Sequence, residues 1–139
     1  MAKEIDQCLD GARSSDDRIA ISCLNSLGDI LEFHNLTVDD TEYIAETLIE
    51  CIISNHNNKV RMEMFNVLEK TFKNLSVDPD VDRLVDCFDH EDDSFIANTL
   101  LLFPLKGSWS YISIAEKYLD HPNTFIARNA AYALKYLKG

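Results

Sequence analysis

The chain has few residues that interrupt helices, since its 139 residues include only 4 glycines and 3 prolines. Disordered and low-complexity chains are typically rich in both types, whereas 46% of this chain is hydrophobic. Apolar residues recur at helical spacing almost throughout, and stretches of alternating apolar and polar residues bounded by turn residues are missing. These patterns predict an all-α fold and a single domain over residues 1–139.

Basic residues are also scarce. The sequence contains 13 Lys and Arg against 24 Asp and Glu, which gives a formal net charge of -11 at pH 7. Such a charge repels phosphate backbones and anionic lipids, so we expect neither nucleic acid nor a membrane surface as the partner. A basic protein is the complementary partner.

Long apolar runs are missing as well. No stretch approaches the roughly 20 residues of a membrane span, and acidic residues stand near the start of the chain, where a signal peptide would need an apolar stretch. The four cysteines form no CxxC pair and each falls within an apolar helical pattern, which favours small buried thiols in a reducing compartment. We therefore predict a cytoplasmic protein.

The usual motifs of catalysis and cofactor binding do not occur. The chain has no Gly-rich phosphate loop and no GxSxG elbow. The run from His90 to Asp93 has neither the alternating spacing nor the central glycine of a calcium loop. We predict that the protein is not an enzyme and that it holds no cofactor and no metal.

Four segments align on one template without gaps, and they start at Asp16, Asn57, Asp93 and Asn123. Each of these residue types can cap a helix, and each is followed three residues later by a β-branched apolar residue. The four β-branched residues are Ile19, Val60, Ile96 and Ile126. Further apolar residues follow four and five positions later, which is typical of a helix that is buried along one face.

A second helical segment precedes each of these copies, so the sequence predicts a row of helix pairs. The preceding segments are residues 3–10, 41–54, 79–89 and 110–120. Asp78 and Pro79 suit the cap and the first helical position of the third preceding segment. Pro104 cannot continue a helix interior, so we expect the third copy to end there, with a loop at Gly107.

The last copy carries a family resemblance. Residues 111–137 resemble a HEAT repeat, with an apolar first helix, an Asp-x-Pro turn at 120–122 and a second helix that contains three alanines. Residues 81–103 are similar without the turn proline. The resemblance implies a short right-handed α-solenoid of about four HEAT-like helical hairpins. It also implies that the second helices line the concave binding surface and that the first helices form the outer layer.

Polar positions beside the apolar stripes of the second helices are therefore the predicted partner-binding residues. The electrostatic candidates are Asp29, Glu32, Glu63, Asp92 and Asp93, and the packing candidates are Asn25, Asn66 and Tyr132. Leu102 shares their register in the third copy. Trp109 is predicted to pack under the loop after Gly107, with an interface anchor as the alternative.

Charge is distributed unevenly along the chain. Residues 19–58 contain no Lys or Arg, whereas residues 94–139 contain five bases and two acids. Glu42, Glu46 and Glu50 recur at one helical turn on a first helix. This stripe fits a solubilising outer face and a functional face equally well.

Small, acidic, stand-alone HEAT-like proteins resemble bacterial immunity proteins, including those paired with the nuclease toxins of contact-dependent growth inhibition. The resemblance rests on architecture and charge. It implies a monomer that neutralises a cognate basic nuclease toxin by stoichiometric binding in a 1:1 heterocomplex. The alternative is a HEAT-repeat scaffold or a regulatory subunit of a larger complex. A solenoid lyase or an alkyl-base glycosylase is a further alternative, against which the acidity argues.

Overall fold

Helices account for 72% of the chain in the computed structural model, which describes residues 1–138. The helices are α1 (Ala2–Ala12), α2 (Asp17–Phe33), α3 (Val38–Ser54), α4 (Asn58–Thr71), α5 (Asp82–Val85), α6 (Asp93–Leu100), α7 (Phe103–Lys106), α8 (Ser110–Glu116) and α9 (Thr124–Lys138), with a 3-10 turn at Phe88–His90. Residues 1–138 contain no β-strand, so the predicted all-α class is confirmed. None of the described helices combines the length and the apolar character that a membrane span requires.

The chain divides into two compact units. The first spans Met1–Asp80 and contains α1 to α4, and the second begins at Val81 and contains α5 to α9. The assignment of one repeat domain to residues 1–139 stays a prediction.

In the first unit, α1 packs on α2 and α3 packs on α4, and the two pairs meet through α2 with α4 and α1 with α3. The unit therefore has one layer of first helices and one layer of second helices. Its core is aliphatic. The side chains that it buries completely include Leu24, Leu27, Ile44, Leu48, Ile52, Met64 and Leu68.

In the second unit, α9 is the central element and packs against α6, α7 and α8. The core contains more aromatic side chains here than in the first unit. Phe103 stacks on Tyr111 with their ring centroids 4.3 Å apart. Phe88 makes edge-to-face contacts with Phe95 and Tyr118. The Tyr111 hydroxyl donates a 2.6 Å hydrogen bond to Asp82 at the start of α5, which ties α8 to α5.

The same asparagine contact joins neighbouring second helices in both units. Asn57 caps α4 by accepting hydrogen bonds from two backbone amides, and its own amide donates to the Asp17 carboxylate of α2 at 2.9 Å. Asn123 accepts from two amides of α9 and donates to Asp93 of α6 at 3.0 Å. One neutral side chain thus satisfies a helix end and an unpaired carboxylate at once.

Three of the four predicted cap positions are confirmed, and the third is wrong by one residue. Asp16 accepts from the Arg18 amide, as a capping side chain does, and Asn57 and Asn123 behave likewise. In the third copy Asp92 is the cap, since it is extended and accepts from the Phe95 amide at 2.9 Å. Asp93, which does not cap α6, instead accepts the hydrogen bond from Asn123 at the start of α9.

The predicted helix over residues 79–89 is wrong. The chain is irregular from residue 77 to residue 80, where Pro79 is buried, and α5 then lasts only four residues before the 3-10 turn. Asp82, Asp86 and Asp89 repel one another at helical spacing, and no side chain caps α5. The helix over 110–120 is also shorter than predicted, since α8 ends at Glu116.

Around Pro104 the predicted break occurs earlier than expected. Helix α6 already ends at Leu100, and Pro104 lies in the first turn of α7, where its missing amide hydrogen costs nothing. Gly107 then ends α7 with φ 70°, a left-handed conformation that favours glycine. The predicted loop at Gly107 is therefore confirmed.

The buried stripe of the first copy is shifted by one residue. Ile19 was predicted to be buried but is 50% exposed, whereas Ala20 beside it is completely buried. The main partners of α2 are α1 and α4, and Ala20 lies on the side of α2 that they cover, together with Leu24 and Leu27. Ile19 is turned by about 100° from that side.

Cysteine packing agrees with the prediction only in part. All four thiols are free, and Cys51 is buried while Cys8, Cys23 and Cys87 are half-buried. Burial raises the pKa of the Cys8 and Cys51 thiols, so both are protonated at neutral pH and pack as small hydrophobic groups.

The contact between Asn57 and Asp17 gives a direct test of how the second helices are held together. Asn57→Asp keeps a capping side chain but places a carboxylate against Asp17, so it should destabilise the protein by about 1 kcal/mol in urea unfolding at pH 7. Asn58→Asp is the matched control, because an acid in the first turn of α4 favours the helix dipole. Equal stability of the two variants would contradict this role for Asn57.

Candidate protein-binding surface

The predicted contact residues fall into two sets, one in each unit. The first unit carries Asn25, Asp29, Glu32, Glu63 and Asn66, and the second carries Asp92, Asp93 and Tyr132. All are exposed except Glu63, which is half-buried. The prediction that these residues bind a partner stays a prediction.

Glu32 is already engaged within the first unit. Its carboxylate lies 3.6 Å from the Lys70 Nζ atom and 3.8 Å from the Lys73 Nζ atom, both near the end of α4. Gly28 makes this approach possible, since a Cβ atom there would lie 3.1 Å from the Lys70 Nζ. The two lysines therefore offset the charge of Glu32, whereas Asp29 on the same helix makes no ion pair within residues 1–138.

Asp92 and Asp93 also have structural partners. Asp92 caps α6, and Asp93 accepts the hydrogen bond from Asn123 that links α6 to α9. Neither side chain meets a cation in the described part of the chain, so both retain their charge at the surface. They are suited to long-range attraction of a basic partner, while their hydrogen bonds fix their positions.

A groove in the first unit collects carboxylates that the sequence analysis had not placed together. It has a volume of about 170 Å³ and lies between α3 and the irregular segment 77–80. Its lining residues are Glu42, Ala45, Glu46, Val77, Asp78, Pro79 and Asp80. We refer to these residues as the acidic groove.

The floor of the acidic groove is apolar and its rim is charged. Ala45, Val77 and Pro79 are buried, whereas Glu42, Glu46, Asp78 and Asp80 are exposed. No lysine or arginine lines it. A lysine or arginine side chain has the matching chemistry, because its aliphatic stem packs on apolar surface while its charged group stays among carboxylates.

The acidic groove depends on a backbone feature that the sequence pattern misrepresents. Asp78 and Pro79 look like the start of a helix, but residues 77–80 are irregular, and Asp78 and Asp80 line the same groove as α3. The usable signal was the run Val77-Asp-Pro-Asp, in which a proline separates two acids directly after an apolar residue.

A metal is a poorer match for these carboxylates. Within residues 1–138 no group of three or more His, Cys, Asp or Glu side chains is arranged to hold a metal ion, and the acidic groove is no exception.

In the second unit, Tyr132 belongs to a larger aromatic surface. Its ring centroid lies 4.7 Å from that of Tyr136, and Lys135 Nζ lies 5.5 Å from the Tyr136 centroid. Phe125 is exposed on the same helix, about two turns before Tyr132. Of these three aromatic residues, only Tyr132 is among the predicted partner-binding residues, although Phe125, Tyr132 and Tyr136 recur at helical spacing.

Two predicted positions are corrected by their exposure. Trp109 is 82% exposed and does not pack under the loop, because the stacked Phe103 and Tyr111 rings fill the neighbouring core. Leu102 is only 2% exposed and is therefore not part of a binding surface. Since α6 ends at Leu100, the helical register that grouped Leu102 with Asn25, Asn66 and Tyr132 does not reach it.

No protein-family model matches the chain, and a search of curated proteins finds no relative.

The exposure of Trp109 is directly measurable because it is the only tryptophan. Acrylamide should quench its fluorescence in the folded protein nearly as efficiently as in the urea-unfolded protein. Trp109→Ala should change the free energy of unfolding by less than about 0.5 kcal/mol, as for surface positions generally. Strong protection from acrylamide, or a loss typical of a core aromatic residue, would contradict the exposed position.

Proposed function

We propose that this protein binds a basic protein through the acidic groove. The observation that carries the proposal is the groove itself, in which four exposed carboxylates surround an apolar floor and the lining residues include no lysine or arginine. Carboxylates in such an arrangement raise the association rate with a positively charged partner and favour its lysine and arginine side chains over neutral ones.

The partner that suits this surface best is a nuclease toxin, and the proposed role is that of an immunity protein. A nuclease needs cationic side chains where it holds phosphates. Carboxylates bound to those side chains would exclude the nucleic acid, so stoichiometric binding in a 1:1 heterocomplex would silence the enzyme. We propose that this protein acts in the cytoplasm, a reducing compartment in which thiols such as the four cysteines of this chain persist.

Asp29 extends the proposed interface within the first unit, with Asn25 and Asn66 as packing contacts. Asp29 has an advantage over Glu32, since Lys70 and Lys73 offset the charge of Glu32. In the second unit Asp92, Asp93 and Tyr132 remain candidates for the same partner.

The proposed architecture is that of HEAT-like hairpins. The support comes from each unit separately, since second helices pack on second helices in both, α2 on α4 and α6 on α9. The matching asparagine contacts, Asn57 with Asp17 and Asn123 with Asp93, add to this support. A right-handed solenoid of about four such hairpins is the finer form of the proposal.

A scaffold or a regulatory subunit is the second candidate, and one observation favours it. Phe33 at the end of α2 is 77% exposed, and Leu75 after α4 is 97% exposed. A scaffold would use such side chains within a contiguous apolar patch, the kind of surface that marks protein contacts. Such contacts depend on apolar burial and resist salt, whereas a contact through the acidic groove weakens as salt rises.

The decisive experiment is a pull-down from the native host with the immobilised protein, at low and at high salt, followed by nuclease assays on the eluted proteins. Recovery of a basic nuclease that an equimolar amount of this protein silences would support the immunity function. Recovery of only a large complex that survives high salt would favour the scaffold.

Neutral variants of the acidic groove localise the contact. Glu42→Gln with Glu46→Gln should reduce recovery of the basic partner at least about tenfold, since each charge pair that is lost weakens binding by about 1 kcal/mol or more. Glu69→Gln with Glu116→Gln is the matched control, because it makes the same change in net charge at exposed positions outside the groove. Equal recovery by both double variants would remove the acidic groove from the proposal.

A further inference from the structure

Helix α9 presents a surface whose charge is opposite to that of the rest of the chain. Residues 124–138 contain Arg128, Lys135 and Lys138 and no acid, whereas the remaining chain holds ten bases against 24 acids. All three cations are exposed. Phe125, Tyr132 and Tyr136 lie among them and are each about half exposed. We call these six residues the α9 face.

The composition of the α9 face is typical of an interface. Tyrosine, phenylalanine and arginine are enriched at the centres of protein contacts. The Tyr132 and Tyr136 rings lie against each other, and Lys135 lies near the Tyr136 ring, so the aromatic part of the surface is held together before any partner binds. Its cations call for an acidic partner.

A second copy of this chain supplies such a partner. On α3, Glu42, Glu46 and Glu50 are exposed and recur at intervals of four residues over about two turns. Arg128 and Lys135 are seven residues apart on α9, which is also about two turns. Two helices laid side by side would therefore bring cations of one against carboxylates of the other.

We propose that the α9 face of one molecule docks on the Glu42 and Glu46 side of α3 in another. The contact joins two different surfaces, because pairing α9 with α9 would oppose cations to cations and pairing α3 with α3 would oppose carboxylates to carboxylates. The net charge of each molecule opposes association over long distances. At about 0.15 M salt the screening length is about 8 Å, so this repulsion is suppressed while direct contacts persist.

The contact has a consequence for the acidic groove, and this consequence rests on the proposed function. Glu42 and Glu46 belong both to the groove and to the surface on which α9 docks. A basic partner and a second copy therefore compete for them, and the 1:1 heterocomplex forms by displacing the second copy.

Sedimentation equilibrium of the full chain tests the proposal. At about 0.15 M salt the average mass should rise above 15.8 kDa as concentration increases from about 10 µM to about 1 mM, the range of weak helix-on-helix contacts, and it should fall again at about 1 M salt. Arg128→Glu with Lys135→Glu should weaken association at least tenfold. Lys3→Glu with Lys117→Glu is the control for net charge, since both lysines are exposed outside α9.

A mixing experiment identifies the opposing surface. Glu42→Lys with Glu46→Lys should also lose self-association, and an equimolar mixture of this variant with Arg128→Glu, Lys135→Glu should associate again, because each contributes one intact surface. Circular dichroism checks that each variant is folded. A mass of one chain at every concentration, or association that the α9 variant leaves intact, would overturn the proposal. Neither result bears on capture of a basic nuclease, because the α9 variant leaves the acidic groove and Tyr132 unchanged.

Discussion

Twenty-four carboxylates share this chain with 13 lysines and arginines, so many carboxylates must be accommodated without a cation of their own. The fold meets this constraint largely with neutral donors. Asp16 and Asp92 accept hydrogen bonds from backbone amides at the starts of α2 and α6. Asp17 and Asp93 accept hydrogen bonds from the side-chain amides of Asn57 and Asn123 respectively. Hydrogen bonds to a carboxylate are stronger than those between neutral groups, so these acids stabilise the helix pairs that carry them.

The carboxylates that the fold does not use are the functional candidates. Glu42 and Glu46 cap no helix and meet no cation in residues 1–138, and they lie beside Asp80 around an apolar floor. Like charges at this spacing disfavour α3 by a few tenths of a kcal/mol each. A small local cost of this kind is typical of a surface kept for binding.

Local chemistry explains which parts of the structure were predictable. The caps Asp16, Asn57 and Asn123 depend on one side chain and the amides that follow it, so they could be read from the sequence. The left-handed Gly107 is local in the same way. By contrast, Ile19 and Ala20 are both apolar residues of α2, and which of them is buried depends on where α1 and α4 pack. Trp109 is exposed because Phe103 and Tyr111 occupy the core, which no pattern around Trp109 indicates.

The candidate site shows the same division. The exposure of Asn25, Asp29 and Asn66 followed from their positions beside the apolar stripes of α2 and α4. By contrast, the two lysines beside Glu32 are about 40 residues away from it in the sequence. The acidic groove was hidden because Asp78 and Pro79 have the composition of a helix start. Residues 77–80 are irregular instead, with Val77 and Pro79 buried.

Glu42 and Glu46 are proposed to serve binding and not folding. The free energy of unfolding of the double variant Glu42→Gln, Glu46→Gln tests this role. Urea unfolding at pH 7 and low salt should show the variant to be as stable as the parent protein or more stable by a few tenths of a kcal/mol, because repulsion along α3 is relieved. A loss of more than about 1 kcal/mol would show that the fold depends on these carboxylates and would contradict the account.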